Sequence, residues 1–180
     1  MSIHEIVLPD TEPETEWILG RAVQKVSKFR TNARLQATFG AALFDWCAGR
    51  GEVGTEWRFR VAPSGEIRRP LVPDIAYVRN ERLSGLEGRE LEAPEFSPDV
   101  AVEIRSPGDR VRRIEHKIGV YLATGASLVI VVDPSRRTVQ LHDARGMREL
   151  ASDDVIVHAA LPGFSLALPE LFKAGDPPPR

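Results

Sequence analysis

Cysteine is nearly missing from these 180 residues: Cys47 stands alone. That excludes an intrachain disulfide and a cysteine-built zinc site. A long apolar run is missing too. No stretch approaches the roughly 20 residues that a bilayer-spanning helix needs, so no membrane association is expected. The opening MSIHEIVLPDTEPETEW is acidic and lacks the basic and apolar regions of a secretory leader; with the lone cysteine, this makes a reducing cytoplasm the expected home. Nor is there a surplus of positive charge. The 24 Lys and Arg face 26 Asp and Glu, a formal charge of −2, unlike a non-specific nucleic-acid coat. That balance leaves room for a local basic cleft, since Arg110, Arg112, Arg113, His116 and Lys117 crowd into one short segment. Finally, there is no clustered Cys/His pattern, no phosphate-cradling glycine loop and no serine-nucleophile motif.

What is present is a globular composition long enough for one core. The expected organisation is a single domain over 1–172, followed by a Pro-rich tail over 173–180 that is expected to be disordered. Residues 11–19 suggest a short helix. A longer one is predicted from Asn32 to Ala48, where Leu35, Phe39, Leu43 and Trp46 recur at helical spacing, with Asn32 as its N-cap and Gly49–Gly51 as its end. EWRFRVA (56–62) alternates, and the turn PSGE (63–66) points to a hairpin into LVPDIAYV (71–78). Pro73 suits the start or edge of that strand. Residues 80–96 lack a period; they are expected to form a mobile loop or short helix bordering the substrate groove. A strand over 99–105, a helix over 109–124 and the apolar strand SLVIVVD (127–133) make a crossover with parallel strands. TVQLHD (138–143) partners the last of these, and a weaker strand lies near 154–159. The result is an α/β sandwich around a mixed sheet.

The stretch PDVAVEIRSPGDRVRRIEHK (98–117) carries the functional question. Alternation puts Asp99, Ala101, Glu103 and Arg105 on one strand face and Val100, Val102 and Ile104 on the other. An unpaired buried carboxylate costs several kcal/mol, so Glu103 needs a cation, a hydrogen-bond network or a metal. A salt bridge to Arg58 or Arg60 would suffice. Asp74 sits in a comparable strand, and two carboxylates on neighbouring strands suit Mg²⁺ or Mn²⁺, hard cations that take oxygen ligands. If the following helix packs back across the strand, Lys117 lies roughly 12 Å along it and Glu103 about 10 Å below Ser106. Its ammonium then reaches the acids. Asp, Glu and Lys around one metal make a hydrolytic site. Asp99 reads as a strand-start residue, Asp133-Pro134 as turn chemistry, His116 and His142 as surface residues, and Cys47, Trp46 and Trp57 as core.

VPDIAYV followed by SPDVAVEIRSPGDRVRRIEHKIGVYLATGASLVIVVDPSRRTVQLHD closely resembles the Uma2 (Uma-two) family of restriction-endonuclease-like proteins, a branch of the PD-(D/E)XK nuclease superfamily. The resemblance runs from about residue 14 to 172 and is strongest over 71–143. EWILG (16–20) resembles the family's E-L-I-D-G segment, and NARLQ (32–36) its H-x-R-L-Q helix start. The resemblance implies a restriction-endonuclease-like mixed β-sheet flanked by helices. It implies a divalent metal, Mg²⁺ or Mn²⁺, on Asp74 and Glu103, and hydrolysis of DNA phosphodiester bonds. Arg105 stands where the superfamily often has a lysine, and Lys117 occupies the place of a lysine moved to the next helix. Glu16 and Gln36 match supporting positions, Arg105 and Arg113 would contact phosphate, and Asn32 replaces a frequent His. Cutting both strands favours a homodimer. Two alternatives stand beside this: a catalytically inactive nucleic-acid-binding or scaffolding protein with the nuclease fold, and a hydrolase of another phosphoester.

Overall fold

The computed structural model describes residues 5–26 and 29–179. The first four residues of the expected domain and the last residue of the expected tail, Arg180, lie outside them. The chain opens with an antiparallel hairpin, β1 (Thr15–Ile18) and β2 (Arg21–Gln24). Its two-residue loop, Leu19–Gly20, holds both φ angles positive, at 51° and 77°, which suits the twist of paired strands. This hairpin replaces the helix expected over 11–19: the turn at 19–20 sends the chain back before a helix can propagate.

Helix α1 (Arg30–Cys47) buries Leu35, Phe39, Leu43 and Cys47, each four residues after the last. They form one stripe because helical side chains four apart stack on one face. Asn32 does not cap it. The N-cap position is Phe29, and Asn32 lies within the first turn, bonded across to another element.

β3 (Gly51–Thr55) falls where only a helix terminator is expected. A Cβ on Gly51 would lie 2.1 Å from the Val78 carbonyl oxygen, so close backbone approach requires glycine there and hides the strand from a propensity reading. β4 (Phe59–Val61) pairs with β5 (Arg69–Leu71) as a separate ribbon, while β6 (Ile75–Arg79) belongs to the main sheet. The single strand expected over 71–78 is thus two strands, broken at Val72–Asp74. Pro73 cannot donate to a ladder, and Asp74 sits in the break. Two short helices follow, α2 (Asn80–Leu83) and α3 (Gly88–Glu92).

β7 (Val100–Ile104), α4 (Val111–Ala123) and β8 (Leu128–Asp133) form the expected crossover, with β7 and β8 parallel from Val100↔Leu128 to Ile104↔Val132. β9 (Thr138–Asp143) and β10 (Gly146–Leu150) extend the sheet, giving the order β10-β9-β8-β7-β6-β3. β11 (Val155–Ile156), β12 (Leu166–Ala167) and α5 (Leu168–Lys173) close the described chain. The carbonyls of Ala174, Gly175 and Asp176 accept bonds from Arg34 and Arg30 on α1.

The sheet has a core on each face. α1 covers Val100, Val102, Ile104, Leu128, Ile130 and Val132. α4 covers Ala76, Val78, Ala101, Val129 and Val131 with Ile118 and Tyr121. All six residues of β8 are buried, as its unbroken apolar run requires. The architecture is a mixed α/β sandwich, and among the described residues no helix is long and apolar enough to cross a membrane.

Candidate active site

Four elements converge at the C-terminal end of β7. Glu103 leaves the strand on the α4 side, as alternation requires. Lys117, one and a half turns into α4, meets it: Nζ lies 2.6 Å from Glu103 Oε1 and 2.7 Å from Glu16 Oε1 on β1. Tyr121, one helical turn further on, donates its hydroxyl to the same Glu103 Oε1 at 3.0 Å. Glu103 therefore pairs with neither arginine named from the sequence. Arg58 binds Asp10 and Glu14, and Arg60 binds Glu5 and Glu95.

Asp74 approaches from the break before β6. Its Oδ2 accepts the Ile104 backbone N–H at 2.6 Å, which ties the acid to the end of β7. Its Oδ1 lies 2.9 Å from Lys25 Nζ, which also meets Glu56 Oε2 at 2.7 Å. The carbonyl of Val72 accepts from both lysines, at 3.1 Å from Lys25 and 3.3 Å from Lys117. Gln36, from α1, donates to the Asp74 carbonyl at 2.7 Å and to Glu56 Oε1 at 3.2 Å. Asn32 donates to the Arg105 carbonyl at 2.9 Å and to Ser106 Oγ at 3.1 Å, pinning the start of α1 to the chain beyond β7.

Asp74, Glu103, Lys117, Glu16, Lys25 and Arg113 all line one small cavity of about 90 Å³. A larger concavity of about 790 Å³ lies between β9, β10 and residues 157–165, away from these acids. Asp74, Glu103, Glu16 and Lys117 are almost wholly buried. Burial pushes the Glu103 carboxyl up to about 7; Lys117 opposes this, and the charges of Asp74 and Glu16 push the same way as burial. Burial would lower Lys117, but Glu103 and Glu16 outweigh it and hold the ammonium above its ordinary value. Burial likewise raises the Tyr121 hydroxyl, and Glu103 adds to it. A buried lysine among carboxylates stays charged, so Lys117 is a donor here and not a ready base.

The structure brings Asp74, Glu103, Lys117 and Glu16 together in the cavity, with Gln36 just behind Asp74. Arg113 borders the cavity, and among the described residues its buried Nε has no hydrogen-bond partner. Arg105 is drawn elsewhere: it binds Asp133 Oδ2 at 2.8 Å and lines an adjoining groove of about 650 Å³ with Asn32 and Ser106. Residues 80–96 do not border the cavity. They follow the far end of β6, because β6 runs antiparallel to β7. Asp99 sits at that far end, bound to Arg79 and Arg82, the strand-start role expected of it. Asp133 Oδ1 accepts the backbone N–H groups of Ser135 and Arg136, as turn chemistry requires.

Lys25, Glu56 and Tyr121 have no counterpart among the sequence-derived site residues. Tyr121 was open to inference, being four residues beyond Lys117 on one helix face. Lys25 and Glu56 were not, because a hairpin and a non-strand linker bring them in; Glu56 itself sits at φ 52°.

One oxygen of each acid, Asp74 Oδ1 and Glu103 Oε1, already holds a cation, the ammonium of Lys25 or Lys117. Hard oxygens that attract cations suit a divalent ion of the magnesium type, which binds through one or two carboxylates and keeps its waters. Among the described residues no group of three His, Cys, Asp or Glu side chains is placed to hold a metal ion together.

Residues 5–169 match the family described as Uma2, "Putative restriction endonuclease". A solved structure from Anabaena variabilis ATCC 29413, titled a "putative nuclease belonging to DUF820", superposes with a TM-score of 0.83. It is 23% identical, over 93% of this chain and 94% of that one. No curated protein matches the chain.

Proposed function

The chain belongs to the Uma2 family, and from that premise we propose that it is a divalent-metal-dependent endonuclease hydrolysing DNA phosphodiester bonds. The observation that carries this reading is the meeting of Asp74, just before β6, and Glu103, on β7, in one small cavity, with the Lys117 ammonium 2.6 Å from the latter. Asp74 Oδ1 and the Glu103 carboxylate are the groups that would hold Mg²⁺ or Mn²⁺. Bound there, the ion would supply water activation and neutralise charge developing on phosphate.

The chain's own residues do the rest. Lys117, held charged by two carboxylates, orients the attacking water and donates towards the phosphate oxygens. Tyr121 fixes Glu103 in one rotamer. The Ile104 N–H fixes Asp74, so both acids are set by β7. Arg113, with an unpartnered nitrogen at the cavity wall, is the phosphate contact; Arg105 is spent on Asp133 and braces the turn after β8. Cutting both strands of a duplex would favour two copies related by a two-fold axis.

Titration calorimetry with Mn²⁺ tests the metal step: native protein gives a binding isotherm, and Asp74→Asn gives none. A plasmid and a small phosphodiester assayed side by side separate a nuclease from a hydrolase of another phosphoester. Binding of DNA without cleavage in any divalent metal would favour the inactive nucleic-acid-binding reading instead.

A further inference from the structure

Lys25 lies just past β2, its backbone N–H bonded to the Glu14 carbonyl at 2.8 Å. Its stem crosses to Asp74, where the ammonium sits 2.9 Å from Oδ1. That oxygen is the one a divalent cation would need, because Oδ2 is already committed to the Ile104 N–H at 2.6 Å. An ammonium and a divalent ion on one carboxylate oxygen repel strongly in a poorly hydrated cavity.

Lys25 also has somewhere to go. It forms part of the wall between two spaces. The inner one is the cavity of about 90 Å³ with Asp74, Glu103 and Lys117. The outer one, about 600 Å³, is lined by Glu12, Glu14, Gln36 and Glu56 among others. Glu56 Oε2 already holds the ammonium at 2.7 Å and belongs to the outer space. The flexible four-carbon stem lets the charge leave Asp74 and keep Glu56 with no change in the hairpin backbone.

We propose that Lys25 and a divalent cation are mutually exclusive occupants of Asp74 Oδ1: Lys25 is a built-in competitor that withdraws towards Glu56 when the ion binds. This rests on the reading of Asp74 as a metal ligand. It makes Lys25 a residue that sets metal affinity, distinct in role from Lys117, which faces Glu103 and Glu16.

Two measurements test it. In calorimetric titration with Mn²⁺, Lys25→Met binds about tenfold or more tightly than native protein, since apparent affinity scales with the fraction of molecules whose site is open. Lys25→Arg, which keeps a cation on Asp74, binds no more tightly than native. The second measurement uses native protein alone, so it survives if Lys25→Met fails to fold. Acetylation mapped by mass spectrometry shows Lys25 slow to react without metal and at least about threefold faster at saturating Mn²⁺, with exposed Lys173 as the unchanged reference. Equal affinities for native and Lys25→Met, with Asp74→Asn not binding, overturn the competition while leaving the metal reading intact. Unchanged Lys25 labelling at saturating Mn²⁺ overturns it too. Equal binding by native protein and Asp74→Asn sinks the metal reading, and the competition with it.

Discussion

At the scale of residues, Glu103 is a carboxyl group held away from water. It is buried beside Asp74 and Glu16, and its carboxyl is pushed up to about 7 from an ordinary 4.5. The folded protein thus holds this proton more tightly than the unfolded chain. Below about 4.5 the group is neutral in both states and contributes nothing to the difference. Above about 7 the full cost of ionising it inside the fold is present. The stability of native protein relative to Glu103→Gln should therefore fall as pH rises from 5 to 8, read from urea melts of both at each pH. A difference that stays constant or grows across that window would contradict this. Tyr121→Phe removes one donor from Glu103 Oε1 in a buried setting. It should cost about 1–3 kcal/mol, measured by the same melts, and lower turnover without abolishing metal binding.

At the scale of elements, the site depends on a strand that stops early. Val72–Asp74 breaks the run LVPDIAYV between β5 and β6, which lets the Val72 carbonyl accept from Lys25 and Lys117 and puts Asp74 on the cavity. Asn32→Ala should loosen the clamp between α1 and the chain beyond β7, at a cost of about 1–3 kcal/mol for the orphaned acceptors. Denaturant unfolding checks this, and a variant as stable as native would show the clamp to be idle. Gly51→Ala should be worse than its size suggests, because its Cβ would fall 2.1 Å from the Val78 carbonyl oxygen. Overpacking of this kind costs about 1–3 kcal/mol or more and should appear as lost soluble yield or a lowered Tm.

These same elements mark what the sequence makes legible. α1, α4, β7, β8 and β9 were readable because a 3.6- or 2-residue apolar period, or an unbroken apolar run, runs through each. The contact of Lys117 with Glu103 followed from rise per residue once the helix is taken to pack back across the strand. β3 was not readable, since its glycines answer to close backbone approach. Nor was the β1–β2 hairpin, whose turn sets Leu19 beside Gly20 at a positive φ, a conformation that a leucine does not signal. Lys25 and Glu56 stayed hidden for that reason: their positions are set by where irregular chain crosses the sheet edge, and no periodicity encodes that.

At the scale of the whole molecule, the mixed sheet divides two apolar cores, and the acids sit at its rim where β6 begins and β7 ends. α1 approaches this rim with Asn32 and Gln36, α4 with Lys117 and Tyr121, and the hairpin with Glu16 and Lys25. One end of the sheet is thereby polar on every side while both faces stay apolar, which suits a site that must bind a charged backbone without unfolding its support. If this rim cleaves DNA with Lys117 in attendance, conversion of supercoiled plasmid in Mn²⁺ by native protein, Lys117→Ala and Arg105→Ala will reveal it. Native protein should cleave, and Lys117→Ala should be slower by about 10² or more while still binding Mn²⁺. Native Arg105 is bound to Asp133 outside the cavity, so Arg105→Ala should keep most of the activity. A native protein that never cleaves in Mg²⁺ or Mn²⁺, or a Lys117→Ala that cleaves at the native rate, would contradict the account.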